Sequence, residues 1–354
     1  MKTLYFDGKM TSNSPITVIL KGSEFGGMNR MPRAGRPHVD TKAYFPATSI
    51  RGAIRNAIHR VVVSALDAQD QSLDLAEHFM LAQGVDITGE ITNEKTDGVI
   101  NLHKELRKIN PALSLTGRWR MRSQIGVGNA HPNGATADVV GVYGNGARTI
   151  CFERDEALYE TLADDQKSRL DLVLENQAAA SVDKKKIKAD KKELLAQLKS
   201  AEGEMKKAIQ EQIKGLDELE SKINKSESGE GSGGIRRPLD GFEAFNEGVE
   251  FGHKLSIHNA SDIEVGLFLA GLRQFCRNPY LGGKRALNMG LVSFEWAVSM
   301  FTDDDALEPE VIGKISVSEK GMKIEGDLLK GCLAEWDEAK HELTKRGIDF
   351  KKVI

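Results

Sequence analysis

A chain of 354 residues with a formal net charge of −3 can bury a sizeable core, either as two or three domains or as one domain carrying large insertions. The near balance of 49 basic and 52 acidic residues gives no global electrostatic reason to expect a polyanionic partner. Cys151, Cys276 and Cys332 lie far apart and in no CxxC pair, which argues against a disulfide framework and a zinc site. No secretory apolar stretch opens the chain, and the longest apolar run, around Val61–Leu66, is far short of a membrane span. A cytoplasmic setting without membrane contact is expected.

In chain order, Pro15–Lys21 is β-branched and strand-like, and a polar, Gly/Arg-rich segment follows to about Tyr44. Such a long connection is usually functional or disordered. Thr48 or Ser49 is expected to cap a helix running to about Leu66, with Ile50, Ile54, Ile58 and Val61 at helical spacing. Residues 68–155 read as an insertion, mainly helical at first and β-like from Leu115. There Arg118, Arg120 and Arg122 alternate as they would on one face of a strand.

Residues 156–225 are rich in Lys and Glu. Ile187, Leu194, Leu198, Ala201, Met205 and Ala208 follow a heptad spacing, which predicts a helical hairpin or coiled-coil arm ending in a flexible stretch, 226–234. Val249–His258 alternates as a strand, and Ser261 or Asp262 caps a helix to about Arg277. A glycine-rich loop spans Tyr280–Gly290, Leu291–Met300 is a further strand, and 303–354 form an extension with a charged helix over Leu328–Arg346. The expected class is α+β, with a ferredoxin-like or RRM-like split β-α-β palm. The palm is 1–67 with 249–302, the finger-like insertion is 68–155, and the thumb with its helical arm is 156–248.

Two segments carry chemistry. From Met1 to Arg60, ten Lys and Arg stand against three acids, and a local field is set by nearby charges rather than by the total. Arg30, Arg33, Arg36, His38 and Lys42 lead into a helix whose start offers Ser49, Arg51, Gly52 and Arg55. Unpaired N–H groups at a helix N-terminus suit a phosphate. The same pattern also fits a solvated basic surface with an ordinary cap. In the second segment Gly282 and Gly283 precede Lys284 and Arg285, as in loops whose amides meet phosphates. A tight helix-to-strand turn would need glycine as well. The spacing is not that of a Walker A loop.

Phe45-Pro46-Ala47-Thr48-Ser49-Ile50-Arg51-Gly52-Ala53-Ile54-Arg55 resembles the proline-to-arginine segment of the CRISPR RAMP superfamily. Tyr280-Leu281-Gly282-Gly283-Lys284-Arg285, followed by Gly290, is similar to that superfamily's glycine-rich loop. Their order and separation match the effector backbone subunits, the "Cas seven" group. The matched residues cover about a tenth of the chain.

The resemblance implies a subunit that polymerises with further copies of itself along guide RNA (crRNA) and presents it to a complementary target nucleic acid. Its partners would be other CRISPR effector subunits and a separate helicase. It also implies a thumb that kinks the strand just before the second core strand. There the chain holds Arg236 and Arg237 for backbone contact, with Phe242 and Phe245 as wedges. The alternative for both phenylalanines is a place in the core.

Type III members cut target RNA with an aspartate after a Gly-Gly in the first long loop. Here Gly26-Gly27-Met28-Asn29-Arg30 holds no acid at that place, and Asn29 cannot bind a metal or take a proton as a carboxylate does. No catalytic residue, metal or cofactor is therefore expected, and the chain is more similar to the type IV backbone subunit than to type III ones. Three rivals remain: a metal-dependent target-RNA-cleaving type III-like subunit, a guide-RNA processing endonuclease using His38 or His59, and a coiled-coil scaffold.

Overall fold

The computed structural model describes residues 1–18, 24–25, 28–36, 40–89, 99–144, 160–198, 204–227, 241–303, 305–342 and 346–353. The chain divides into two compact units. One is Met1–Tyr143 with Gly241–Ile354, and the other is Gly144–Asp240.

In the first unit the strands are β1 (Lys2–Ser12), β2 (Glu24–Phe25), β3 (Met28–Asn29), β4 (Arg33–Arg36) and β5 (Asp40–Ala43). The helices α1 (Ala47–Asp67), α2 (Leu75–Gln83), α3 (Val99–Ile109) and α4 (Pro111–Thr116) follow. Next come β6 (Ile125–Val127), β7 (His131–Pro132), α5 (Thr136–Val139) and β8 (Val140–Gly144). In the second unit lie α6 (Asp164–Leu198) and α7 (Glu204–Glu227). The first unit resumes with β9 (Gly241–Phe245), β10 (Glu250–Ala260), α8 (Asp262–Phe275), β11 (Val292–Met300), β12 (Glu310–Ser318), β13 (Gly321–Glu325) and α9 (Asp327–Ala339).

The main sheet runs β13-β12-β11-β1-β10-β6, with β7 also on β10, and every pair in it is antiparallel. Its central strand is β1, and not Pro15–Lys21 as the β-branched run suggested. Leu4, Phe6, Met10 and Ser12 alternate inward while Tyr5 and Asp7 face out, the period-2 pattern of a half-buried strand. Ile16 makes only an isolated bridge to Phe245, and the residues from Ile19 to Lys21 lie outside the described ones.

Helices α1, α8 and α9 pack side by side against the apolar face, where Phe6 meets Phe268 and Trp296 edge-on at 5.5 and 6.3 Å. Each such fully buried aromatic contributes roughly 1.5–3 kcal/mol. Helix α8 starts as its sequence predicts: the Glu264 N–H donates to Ser261 Oγ at 3.3 Å, and the Ser261 N–H donates to the Glu264 carboxylate at 2.7 Å. Helix α9 ends at Ala339, short of the expected Arg346.

Residues 68–143 do not stand apart from this core. Met80, Leu81, Leu106, Leu113 and Leu115 join the same apolar cluster as the sheet, and the stretch supplies β6 to the sheet's edge. Arg118–Arg122 is not a strand. The Arg118 and Met121 backbones exchange hydrogen bonds at 3.1 and 2.9 Å, and Arg120 sits at φ 64°, so the alternation becomes a tight turn with Arg118 buried. A second, smaller sheet runs β2-β3-β9-β8, and β4 with β5 forms a separate hairpin.

In the second unit α6 and α7 pack as a hairpin, with Lys191 paired to Asp217 at 2.6 Å and Ile187 and Ile209 buried. The seam restarts in α7 on Ile209, Ile213 and Leu216, while Met205 is 70% exposed. The single heptad register expected through Met205 and Ala208 therefore does not persist. Ala201 and residues 228–234 of the expected flexible stretch lie outside the described residues; Ser226 and Glu227 are helical.

Candidate nucleic-acid interface

Helix α1 begins two or three residues earlier than its Thr and Ser suggested. Pro46 occupies the N-cap with extended backbone and no side-chain cap, as its fixed φ permits. The Ala47 N–H donates to Asn129 Oδ1 at 2.8 Å and the Ser49 N–H to the Pro46 carbonyl at 3.0 Å. Ser49 is thus a half-buried first-turn residue instead of the cap.

Arg51 is exposed and reaches the Thr116 carbonyl at 3.0 Å. Beside it, a Cβ on Gly52 would meet nothing within 4 Å. Glycine inside a helix costs about 1 kcal/mol relative to alanine, and packing does not demand one here. The bare backbone leaves that surface open to close approach.

Arg55, expected on a phosphate, faces inward. Its guanidinium donates to the carbonyls of Leu81, Thr116, Met80 and Gly117 at 2.8, 3.1, 2.7 and 2.8 Å. These carbonyls lie at the C-terminal ends of α2 and α4, where helical donors run out; Met80 O is shared with the Gly84 N–H and Thr116 O with Arg51. Burial, then the neighbouring charge of Arg51, lowers its pKa to about 10. Arg55 is a structural clamp.

The glycine-rich loop packs on the start of α1. Gly282 has φ +77°, and a Cβ there would lie 2.1 Å from the Thr17 carbonyl oxygen and 3.6 Å from the Phe45 ring. This contact joins the two sequence segments that resemble the RAMP motifs. The loop's amides serve the fold: the Gly283 N–H donates to Thr17 O, that of Gly290 to Pro15 O and that of Leu281 to Gly290 O. Gly283 is therefore not a phosphate donor through its amide.

The loop's cations are what it displays. Lys284 and Asn288, both left-handed, bracket a short 3-10 turn over Arg285–Leu287. Lys284 Nζ lies 4.4 Å from the Phe242 ring centroid and Arg285 lies 4.9 Å from that of Tyr280. Each contact orients a charge for about 0.5–1 kcal/mol.

Phe242 and Phe245 are 1% and 0% exposed, so neither projects as a wedge. Both point into packed layers because β9 is paired on both sides, by β3 and β8. Phe245 meets Phe251 edge-on at 4.8 Å, and Phe242 stacks with Tyr143 at 6.0 Å.

Between them, buried Glu243 accepts from Arg33 at 2.8 Å and from the Met31 N–H at 2.9 Å, with Arg30 at 3.8 Å. Burial pushes this carboxyl up. The Arg33 and Met31 hydrogen bonds and the charges of Arg33 and Arg30 outweigh that and hold it below the usual range. Arg33 is thereby neutralised rather than displayed, a pairing the sequence reading missed because Glu243 is so distant in the chain. Lys42 is exposed on β5. Arg36 contributes backbone to β4; its side chain, together with His38, Arg236 and Arg237, lies outside the described residues.

The structure also brings in Arg60, Arg277 and Asn278, which were not singled out. Arg60 follows Asn56 by one helical turn on α1, and together with Arg277, Asn278 and Tyr280 they flank Arg285. The i, i+4 repeat along α1 was the available signal.

Among the described residues no group of three or more His, Cys, Asp or Glu could hold a metal ion, and no helix is long and apolar enough to cross a membrane. No family model matches the sequence, and no curated protein does. Among solved structures, a chain of a structure described as a Type IV-B CRISPR Complex is similar at 13% identity and TM-score 0.41, over 87% of this chain and 96% of that one. A TM-score that low leaves the functional reading to the residues themselves.

Proposed function

We propose that this chain is a guide-RNA-binding backbone subunit of a CRISPR effector, most similar to the type IV member. In this reading it holds RNA at the start of α1 and on the adjoining glycine-rich loop. The observation that carries the reading is the close approach of Gly282 to Thr17 and Phe45, which brings together two segments 225 or more residues apart in sequence (Arg55 to Tyr280). In this reading exposed Arg51, Gly52 and Arg285 and half-buried Lys284 make up a cationic face, with Phe242 and Tyr280 behind the two loop cations. Such a face suits a single-stranded sugar–phosphate chain.

Support also comes from topology. The order β11-β1-β10-β6, with α1 after β1 and α8 between β10 and β11, supports reading the sheet as a split β-α-β palm. A loop at each of two neighbouring strand ends brings the motifs to one edge. In this reading residues 68–143 complete the palm rather than form a separate finger, and α6 with α7 is an accessory arm.

Binding occurs without cutting. Asn29 occupies the position where type III relatives carry an acid, and it lies on a strand beside Phe242. A histidine-based nuclease is disfavoured at His59, whose ring hydrogen-bonds His78 at 3.0 Å within the α1–α2 packing. The test is co-expression with a guide array. The purified protein should carry RNA that nuclease trims to a ladder of regular steps, one per subunit. Protein that elutes as a monomer without RNA contradicts the proposal.

A further inference from the structure

Between α1, the C-terminal end of α8 and the glycine-rich loop lies a cleft of about 310 Å³. Asn56 and Arg60 line it from α1, Arg277 and Asn278 from beyond α8, and Tyr280 and Arg285 from the loop; among the described residues no carboxylate lines it. Arg60, Arg277, Asn56 and Asn278 are all exposed at the cleft, and among the described residues Arg60, Arg277 and Arg285 have no ion pair or hydrogen bond. This contrasts with Arg33 on Glu243 and Arg273 on Asp337, each paired at 2.8 Å.

Three uncompensated guanidiniums converging on one cavity repel one another, and a bound anion relieves that repulsion. Two carboxamides in the same wall are of a different use. They offer paired donors and acceptors, the complement of a base edge rather than of a phosphate alone. The Arg285 guanidinium, seated on the Tyr280 ring at 4.9 Å, presents a flat cationic plane of the kind on which unpaired bases stack. The volume sits at the lower end of the range of small-molecule sites, about 300–1,000 Å³, so it admits one nucleotide and not two.

We propose that this cleft is a pocket for a single unstacked nucleotide of the bound strand. Its base lies on Arg285 with its edge on Asn56 and Asn278, and its flanking phosphates lie on Arg60 and Arg277. The proposal rests on the RNA-binding reading above and adds a base-holding position to a site otherwise confined to the backbone.

An abasic scan tests it. Single-stranded RNAs are made in which each nucleotide in turn lacks its base, and the affinity of the full chain is measured by fluorescence anisotropy. At one position, base removal should weaken binding about tenfold. In an Asn56→Ala, Asn278→Ala double variant that loss should shrink to the part that stacking on Arg285 supplies, while the intact RNA still binds. Both positions are exposed, and an unchanged melting temperature confirms that the variant folds.

Binding of RNA with no sensitive position overturns the pocket and leaves the wider reading standing; so does a sensitive position whose loss is undiminished in the variant. No RNA binding by the wild-type chain overturns the wider reading itself. Micromolar binding of free ribonucleoside monophosphates, without RNA, would mark a free-nucleotide site and also overturn the pocket as stated.

Discussion

Arg33 and Glu243, 210 residues apart in sequence, pair at 2.8 Å. They tie the arginine-rich segment after β3 to β9, the strand at which the chain re-enters the main unit. Glu243 is buried and also holds the Met31 N–H. Its replacement by Ala leaves a buried donor and a guanidinium unpaired, which costs about 1–3 kcal/mol. Urea unfolding should show that loss at neutral pH. The carboxyl's pKa is lowered in the folded chain, so its contribution is complete above the ordinary value of 4.5 and fades as pH falls through the folded value. The gap between wild type and Glu243→Ala should therefore close in acid.

Gly52 and Gly282 separate a binding role from a folding role. Gly52→Ala meets no atom within 4 Å and should stabilise the chain by about 0.5–1 kcal/mol, while its methyl group weakens RNA affinity. Gly282→Ala must hold φ +77° with its Cβ 2.1 Å from a carbonyl oxygen, and should destabilise by about 2 kcal/mol or more. Thermal melts and anisotropy on the two variants give the opposite signs; a Gly52→Ala chain of unchanged affinity removes that surface from the site.

Arg55 should behave as a folding residue. Arg55→Met removes the guanidinium from four carbonyls at the ends of α2 and α4, of which Met80 O keeps the Gly84 N–H and Thr116 O keeps Arg51, costing about 3 kcal/mol. Its RNA affinity, measured well below the melting temperature, should match that of wild type. A selective loss of affinity at unchanged stability would return Arg55 to the interface.

Acidification should destabilise the fold through two histidines. Burial lowers the pKa of His253 to about 4. Burial, then the charges of His78, Arg55 and Arg60, lowers that of His59. The unfolded chain takes up these protons near pH 6.5 while the folded chain resists, so stability is full above pH 6.5 and falls on the way to pH 4. For His253 alone the span is on the order of 3 kcal/mol. Urea midpoints at pH 7.5 and 4.5 read the effect, and His253→Gln should flatten it.

The parts of this fold that were legible from sequence are those where pattern and burial agree. The alternation of β10, the Ser261–Glu264 cap and the apolar repeat of α1 all lie on elements whose buried face is made by their own residues. Strand β1 was hidden because Asp7 and Lys9 on its open face interrupt the apolar signal of Leu4, Phe6 and Met10, while the β-branched run at Ile16–Leu20 offered a stronger local signal. In the candidate site, Arg51, Gly52, Lys284 and Arg285 were found as neighbours by motif. Which arginines stay unpaired could not be found that way, since Arg33 is claimed by Glu243 and Arg55 by carbonyls far along the chain. Phe242 and Phe245 were read as wedges for the same reason: two-sided pairing of β9 is a long-range fact.

The most direct test of the central claim is RNA affinity as a function of salt for wild type and for an Arg51→Ala, Lys284→Ala variant. Both residues lie on the surface where α1 and the glycine-rich loop meet, and neither is fully buried. The account predicts at least a tenfold loss of affinity at moderate salt. It also predicts a shallower slope of log affinity against log salt, by roughly 0.7 for each phosphate contact removed. An affinity and a slope equal to those of wild type, in a variant that melts normally, would contradict it.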